Sequence, residues 1–280
     1  MILKMGSKKF VPVTDDKNNL NEKSNFSIDR VELRDKIGVL SFSDLSERHF
    51  KFLLNHNFTQ KANDGLAGHI ENQFFFNDWP KDLEKYLISK VINENLDVDD
   101  LISKTLHDES LLKYANKIKP HNFYDLLTLS GMWINKQKKH EFNPMHNHTG
   151  SFSFIIPLQI PYDLNEEDKI FQVGRHSINK TSRLEFFKII RGQLESVTTN
   201  MDKSWEGKLL MFPSLLHHQV YPFYTSDGIR ITVSGNIVFK EEVRKKYSKE
   251  EYKMMTRLLL MHWYVNTEYK VDGKSYLIKV

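Results

Sequence analysis

Pro144-Met145-His146-Asn147-His148-Thr149-Gly150 runs directly into Ser151-Phe152-Ser153-Phe154-Ile155-Ile156, and whether this stretch is helix or strand decides the fold. The second half is a short apolar run bounded by polar residues, which reads as a buried strand. On extended chain, His146 and His148 share one face and can bind one metal ion; on a helix they would diverge by about 200°. A lone His-x-His pair is a weak signal, because histidines also serve as satisfied polar or surface groups.

A second segment changes that balance. His218 lies in Gly207-Lys208-Leu209-Leu210-Met211-Phe212-Pro213-Ser214-Leu215-Leu216-His217-His218-Gln219-Val220, where one strand turns into another, so two strand ends are expected to converge. His217, its neighbour on extended chain, points the other way and reads as a wall or substrate residue. Further on, Arg230-Ile231-Thr232-Val233-Ser234-Gly235-Asn236 alternates polar and apolar residues. Arg230, Thr232 and Ser234 therefore share the face expected to look inward, where a guanidinium can hold a carboxylate through two parallel hydrogen bonds and Thr232 can donate another. The plainer reading of Arg230 is an edge-strand arginine in a surface ion pair. Trp133 and Asn135 share one face of a preceding strand by the same period of two and are placed on the pocket wall, although Trp133 reads first as core.

Working outward, eight candidate strands follow one another: Met132 to Gln137, Ser151 to Ile160, Lys169 to Val173, Leu184 to Ile190, Leu194 to Thr199, Lys208 to Phe212, Gln219 to Phe223 and Arg230 to Phe239. Eight in a row suit a jelly roll. Before them, Asp15 to Asp29 reads as an exposed loop and Lys36 to Phe42 as a strand. Ser43 to Glu47 offers a cap for a helix through Leu54. Apolar residues at three- and four-residue intervals from Leu83 to Leu112 predict helix, with Pro80 at a start and Pro120 at a stop. Lys249 to Val265 reads as an amphipathic helix that packs on the core or on a partner. The expected class is α+β: a mainly helical region over 1–125, a β core over 126–240 and a helical extension over 241–280.

The chain holds 280 residues, with 40% hydrophobic and 12% aromatic content including 19 Phe, enough for one large ring-rich core. Its 40 basic and 36 acidic residues are scattered, so no nucleic-acid partner is expected. It contains no cysteine, which excludes disulfides and thiolate chemistry and leaves His, Asp and Glu as metal ligands. Met1 to Phe10 lacks an apolar stretch of signal-peptide length and no run is long enough to span a membrane, so the expectation is a cytoplasmic protein without membrane contact. Asp97 to Asp100 lacks the glycine and distal Glu of a calcium loop and reads as helix capping. Gly65-Leu66-Ala67-Gly68 lacks the Lys-Ser/Thr of a phosphate loop and reads as a turn.

Met132-Trp133-Ile134-Asn135, the phrase Phe142 to Gly150, Ser153-Phe154 with Ile160-Pro161, Phe212-Pro213 with His218, and Arg230 to Asn236 together resemble the iron(II)- and 2-oxoglutarate-dependent oxygenases. The likeness is to the branch near the prolyl 4-hydroxylases that occurs in bacteria and marine phages, and it covers approximately Leu126 to Phe239. It implies a double-stranded β-helix (jelly roll) core, Fe(II) and 2-oxoglutarate as cofactors, His146 as first ligand, His218 as distal ligand, and Arg230 as anchor for the distal carboxylate of 2-oxoglutarate. Trp133, Ser153, His217 and Asn236 are placed about the pocket, with Thr232 and Asn135 beside the co-substrate. One position departs from the pattern: an Asp or Glu is usual two residues after the first histidine, and this chain has His148. Either His148 is itself a ligand, leaving more positive charge on the metal, or it stands behind the ligands and a loop carboxylate such as Asp163 or Glu166 completes the set.

The implied activity is a hydroxylase of an amino-acid side chain, peptide or small metabolite, coupling oxidative decarboxylation of 2-oxoglutarate to C–H oxidation. No catalytic group beyond the metal site is expected. A three-histidine, cupin-like dioxygenase or isomerase that uses no 2-oxo acid is the alternative, favoured by His148 and disfavoured by Arg230. A non-catalytic jelly-roll module is the third reading. The apolar C-terminal helix makes a homodimer conceivable.

Overall fold

The computed structural model describes residues 41–56, 68–92, 123–171, 179–190, 193–266, 269–271 and 274–276. β1 (Ser41–Asp44) leads into α1 (Glu47–Asn55), whose Ser46 cap accepts a hydrogen bond from the His49 N–H, with Glu47 in the first turn. β2 (Gln73–Phe75) is followed by α2 (Lys81–Ser89), which starts after Pro80, a residue with φ already set for the helix and no N–H to lose. Leu83, Leu87 and Ile88 form its buried stripe.

A one-turn helix α3 (Phe123–Leu126) opens the β core: β3 (Leu127–Gln137), β4 (Asn143–His146), β5 (Phe152–Gln159), the short α4 (Leu164–Glu167), β6 (Leu184–Ile190), β7 (Gln193–Thr199), β8 (Lys208–Pro213), β9 (His217–Val220) and β10 (Arg230–Phe239). A six-stranded sheet has the order β1-β8-β5-β10-β3-β2 and a four-stranded sheet the order β4-β9-β6-β7. Each named strand pairing within them is antiparallel. The chain crosses repeatedly between the sheets, which is the double-stranded β-helix. β5 is buried on both faces because helices cover the outside of the large sheet, with α1 against β5 and α2 against β3. The core is ring-rich, with Phe152, Phe154, Phe186, Phe212, Phe223, Phe239 and Trp205 fully buried. Gly235 permits a close approach inside the core: a Cβ there would lie 2.5 Å from the Phe154 ring and 2.7 Å from the Gly131 carbonyl.

Four differences from the sequence reading have local causes. Residues 169–171 are not a strand, because Asp163 caps the Asn165 N–H and starts α4 instead. β9 ends at Val220, before Pro222, which has no N–H to give a ladder. β3 begins at Leu127, earlier than Met132, and β2 and β4 are additional strands. After α5 (Glu241–Lys246) and α6 (Lys249–Asn266), the C-terminal region adds a small hairpin, β11 (Tyr269–Val271) with β12 (Lys274–Tyr276). Met255, Leu258 and Leu259 of α6 are buried in this chain's own core. β1 and β2 join the edges of the large sheet, so the region before residue 126 shares a sheet with the core. The loop at Asp15 to Asp29, the start of the strand at Lys36, the helical pattern from Leu101 to Leu112, Pro120, Asp97 to Asp100 and Gly65 to Ala67 lie outside the described residues.

Candidate metal centre

His146 ends β4 and His218 lies on β9, and the two are directly paired across the strands. His148 arrives from the following loop, pinned by its N–H to the Ser214 carbonyl at 2.9 Å. Gly150 lets the loop turn back into β5 with φ +127°, a region closed to most side-chain-bearing residues. The ring centroids lie 4.4 Å apart for His146 and His218, and 5.0 Å for each of them with His148. One nitrogen from each ring falls within 4.8 Å of the others.

The hydrogen bonds on the far sides of two rings fix which nitrogen faces inward. His146 Nδ1 donates to the Pro144 carbonyl at 2.7 Å and His218 Nδ1 to the Leu216 carbonyl at 3.1 Å; a carbonyl can only accept, so each Nδ1 carries the proton and each Nε2 keeps its lone pair. Burial lowers all three basicities: His148 is pushed down to about 4, with the His146 charge adding to the effect. His218, only 2% exposed, lies well below the usual histidine range, and in His146 burial outweighs the opposing bond to Pro144. The rings are therefore neutral at pH 7, the form that binds metal. His148 Nε2 and His218 Nε2 stand 3.2 Å apart. Two nitrogens each roughly 2.1 Å from one cation, at about a right angle or slightly wider, have that separation. The donor set fits a first-row dication such as iron(II).

Aromatic rings close off the site: Trp133 lies 5.4 Å from His148, Phe212 5.0 Å and Phe186 5.7 Å from His218, centroid to centroid. A narrow cavity of about 40 Å³ is lined by the three histidines, Trp133, Asn135, Gln137, Asn143, Arg230, Thr232, Ser234 and apolar side chains. Its polar wall is a ladder of cross-strand partners on β3 and β10: Trp133 with Ser234, Asn135 with Thr232, and Gln137 with Arg230. Four residues of strand, about 13 Å, separate the first rung from the last. Asn135 takes a hydrogen bond from Gln73 at 2.7 Å and approaches Thr232 Oγ1 at 3.5 Å.

Arg230 is not a surface residue. It is 1% exposed, and all five of its N–H groups are engaged. Nε and Nη2 donate to Gln137 Oε1 at 3.0 and 2.6 Å, Nη1 to Tyr162 Oη at 3.1 Å and the Ser182 carbonyl at 2.6 Å, and Nη2 also to the Tyr221 carbonyl at 2.9 Å.

The structure brings His146, His148, His218, Arg230, Thr232, Asn135 and Trp133 to this cavity. Ser153 on β5 and Asn236 on β10 pair with each other but do not line it: Ser153 Oγ lies 2.9 Å from Ser214 Oγ and 2.8 Å from Asn236 Oδ1. His217 is exposed and points away, its Nε2 3.3 Å from Asn147 Nδ2. No Asp or Glu lines the cavity among the described residues. Asp163 is occupied as the cap of α4, and Glu166 pairs with Lys169 at 2.6 Å. Sequence reasoning missed Gln137, Tyr162 and Asn143. Gln137 was readable, two residues beyond Asn135 on the same face; nothing local announced Tyr162.

Residues 131–236 match the family described as "Putative 2OG-Fe(II) oxygenase", a span that contains the three histidines and Arg230. Over this core the chain is similar to 2-oxoglutarate- and iron(II)-dependent oxygenases, and that likeness implies Fe(II) and 2-oxoglutarate as cofactors. Among solved structures, a prolyl-4-hydroxylase from Pseudomonas putida is similar at 11% identity and TM-score 0.37, covering 76% of this chain and 98% of that one. A prolyl hydroxylase from Trichoplax adhaerens, in complex with a hypoxia inducible factor oxygen degradation domain peptide fragment, has 10% identity and TM-score 0.36, covering 81% and 98%. An oxidoreductase of the 2OG-Fe(II) oxygenase family from Burkholderia pseudomallei has 14% identity and TM-score 0.29, covering 51% and 59%. No curated protein matches the chain. No helix among the described residues is long and apolar enough to cross a membrane.

Proposed function

We propose that this chain is a non-haem Fe(II)- and 2-oxoglutarate-dependent dioxygenase that hydroxylates a small molecule or an amino-acid side chain, free or in a peptide, in the cytoplasm. The observation that carries this reading is the convergence of three neutral imidazoles in the same cavity as a buried guanidinium. His146, His148 and His218 would hold the metal, His146 oriented by the Pro144 carbonyl and His218 by the Leu216 carbonyl. Arg230 would bind the distal carboxylate of the co-substrate, with Thr232 and Asn135 beside it.

When bound, iron(II) and 2-oxoglutarate supply the oxidising chemistry, in which 2-oxoglutarate, dioxygen and a C–H bond give succinate, carbon dioxide and an alcohol. The chain's own residues orient and insulate. Trp133, Phe186 and Phe212 keep water from the metal side, and the polar ladder on β3 and β10 aligns the acid along the cavity. His148 in place of a carboxylate leaves the metal with its full double charge, which strengthens its hold on an anionic co-substrate.

A second reading, a three-histidine dioxygenase without a 2-oxo acid, is favoured by one observation: every N–H of Arg230 already has a protein partner. The deciding experiment incubates iron-loaded protein with 2-oxoglutarate and dioxygen and measures succinate. Iron-dependent succinate, lost in His218→Ala, supports the proposal. Bound iron with no succinate and no 2-oxoglutarate binding favours the second reading.

A further inference from the structure

Arg230 carries a buried positive charge with no carboxylate within ion-pair distance among the described residues. Its partners are all neutral, so the cavity holds an uncompensated cation, a state that an incoming anion relieves. The partners differ in freedom. The Ser182 and Tyr221 carbonyls belong to the backbone, and the Tyr162 hydroxyl is tied also to the carbonyls of Ser182 and Met201. Gln137 is the one partner on a long side chain with rotatable bonds; its amide Nε2 donates in turn to the Glu141 carbonyl, so yielding the fork means turning about that bond or breaking it. Its single oxygen takes both Nε–H and Nη2–H, the edge of the guanidinium that a carboxylate engages with two parallel bonds. Gln137 Oε1 sits where a distal carboxylate would meet that edge, in a cavity of only about 40 Å³, so the acid can take both bonds only if the Gln137 side chain moves.

We propose that Gln137 is a placeholder for the distal carboxylate: it holds the Arg230 fork in the acid-free protein and yields it when the 2-oxo acid arrives, so that Gln137 sets the affinity for that acid. The inference rests on the co-substrate reading above and assigns a positioning role to a residue that touches no metal ligand.

Removing the placeholder takes a donor from the Glu141 carbonyl with or without acid, but strands Nε–H and Nη2–H in the acid-free state alone, where they are buried without acceptors until a carboxylate fills them. Gln137→Met keeps the volume and removes the acceptor. It is expected to melt lower than the wild type without acid and to bind 2-oxoglutarate about three- to tenfold more tightly. Gln137→Glu plants a carboxylate on the fork and is expected to weaken 2-oxoglutarate binding by about tenfold or more. The experiment titrates manganese(II)-loaded full-length protein with 2-oxoglutarate, and separately with 2-oxopentanoate, which lacks the second carboxylate. Calorimetry is the readout, and manganese affinity reports that each variant is folded.

The expected pattern is opposite shifts for the two variants with 2-oxoglutarate and little change with 2-oxopentanoate. Weaker 2-oxoglutarate binding by Gln137→Met, or equal shifts for both acids, overturns the placeholder while leaving the co-substrate reading intact. Failure of the manganese-loaded wild type to bind 2-oxoglutarate overturns both.

Discussion

Replacing Arg230 with lysine tests how much of the barrel leans on one buried side chain. Lysine keeps the charge but has three donors on a rotating ammonium, against five in a fixed plane. At least two of the five hydrogen bonds of Arg230 are then unmade, although the Ser182 carbonyl and the Tyr162 hydroxyl keep the bond between them. A hydrogen bond to a charged group is worth roughly 1.5–3 kcal/mol, so two lost bonds cost the variant about 4 kcal/mol. That is a large share of a typical stability of about 5–15 kcal/mol, and at roughly 2–4 °C per kcal/mol it lowers Tm by about 8–16 °C. The assay is thermal denaturation followed by circular dichroism, with exposed Arg244→Lys as control, expected within about 0.5 kcal/mol of wild type. Metal affinity should be retained, because Arg230 makes no hydrogen bond to the histidines. An Arg230→Lys protein that melts within about 2 °C of wild type refutes this account of the guanidinium.

The histidines predict a pH dependence. Their folded basicities lie below the unfolded value, so in acid the unfolded chain takes up protons that the native metal-free site refuses. Stability from this source is present above about pH 6.5 and lost as pH falls toward about 4; urea unfolding from pH 7 to 4.5 should show a shallower decline in His148→Gln, and equal declines contradict the assignment. His217→Ala should leave cobalt(II) affinity unchanged in calorimetry while His218→Ala abolishes it, since the first ring points away and the second inward. Glu167, fully buried, accepts from the Tyr224 and Thr225 N–H groups and the Thr225 hydroxyl. Glu167→Ala strands those donors and should lower stability by about 2–4 kcal/mol in urea unfolding. Gly235→Ala drives a methyl into the Phe154 ring and the Gly131 carbonyl and should lose about 1–3 kcal/mol or more by the same measurement.

What the sequence revealed depended on whether a signal was local. β6 and β10 have the predicted boundaries because alternation and apolar runs state where a buried strand begins and ends. His146, His148 and His218 were legible because extended chain puts every second residue on one face, a rule that holds without knowledge of the partner strand. β4 escaped notice because it carries Pro144 and a register shift, and its pairing with β9 is decided by tertiary contact. The supposed strand at Lys169 lost to the Asp163 cap, a single side-chain hydrogen bond that outweighs a short apolar pattern. The inward face of Arg230 was readable from Arg230-x-Thr232-x-Ser234. Its partners were not, since Tyr162, Ser182 and Tyr221 come from separate loops that meet only when the barrel closes.

The central claim is that the three imidazoles hold iron(II) and that the neighbouring cavity delivers a 2-oxo acid to it. Anaerobic titration of the purified protein with iron(II) and then 2-oxoglutarate, followed in the visible spectrum, tests this most directly. The account predicts a metal-to-ligand charge-transfer band that saturates with 2-oxoglutarate and is absent in His218→Ala. A wild-type protein that binds iron(II) yet gives no band, or that binds no iron(II), contradicts it.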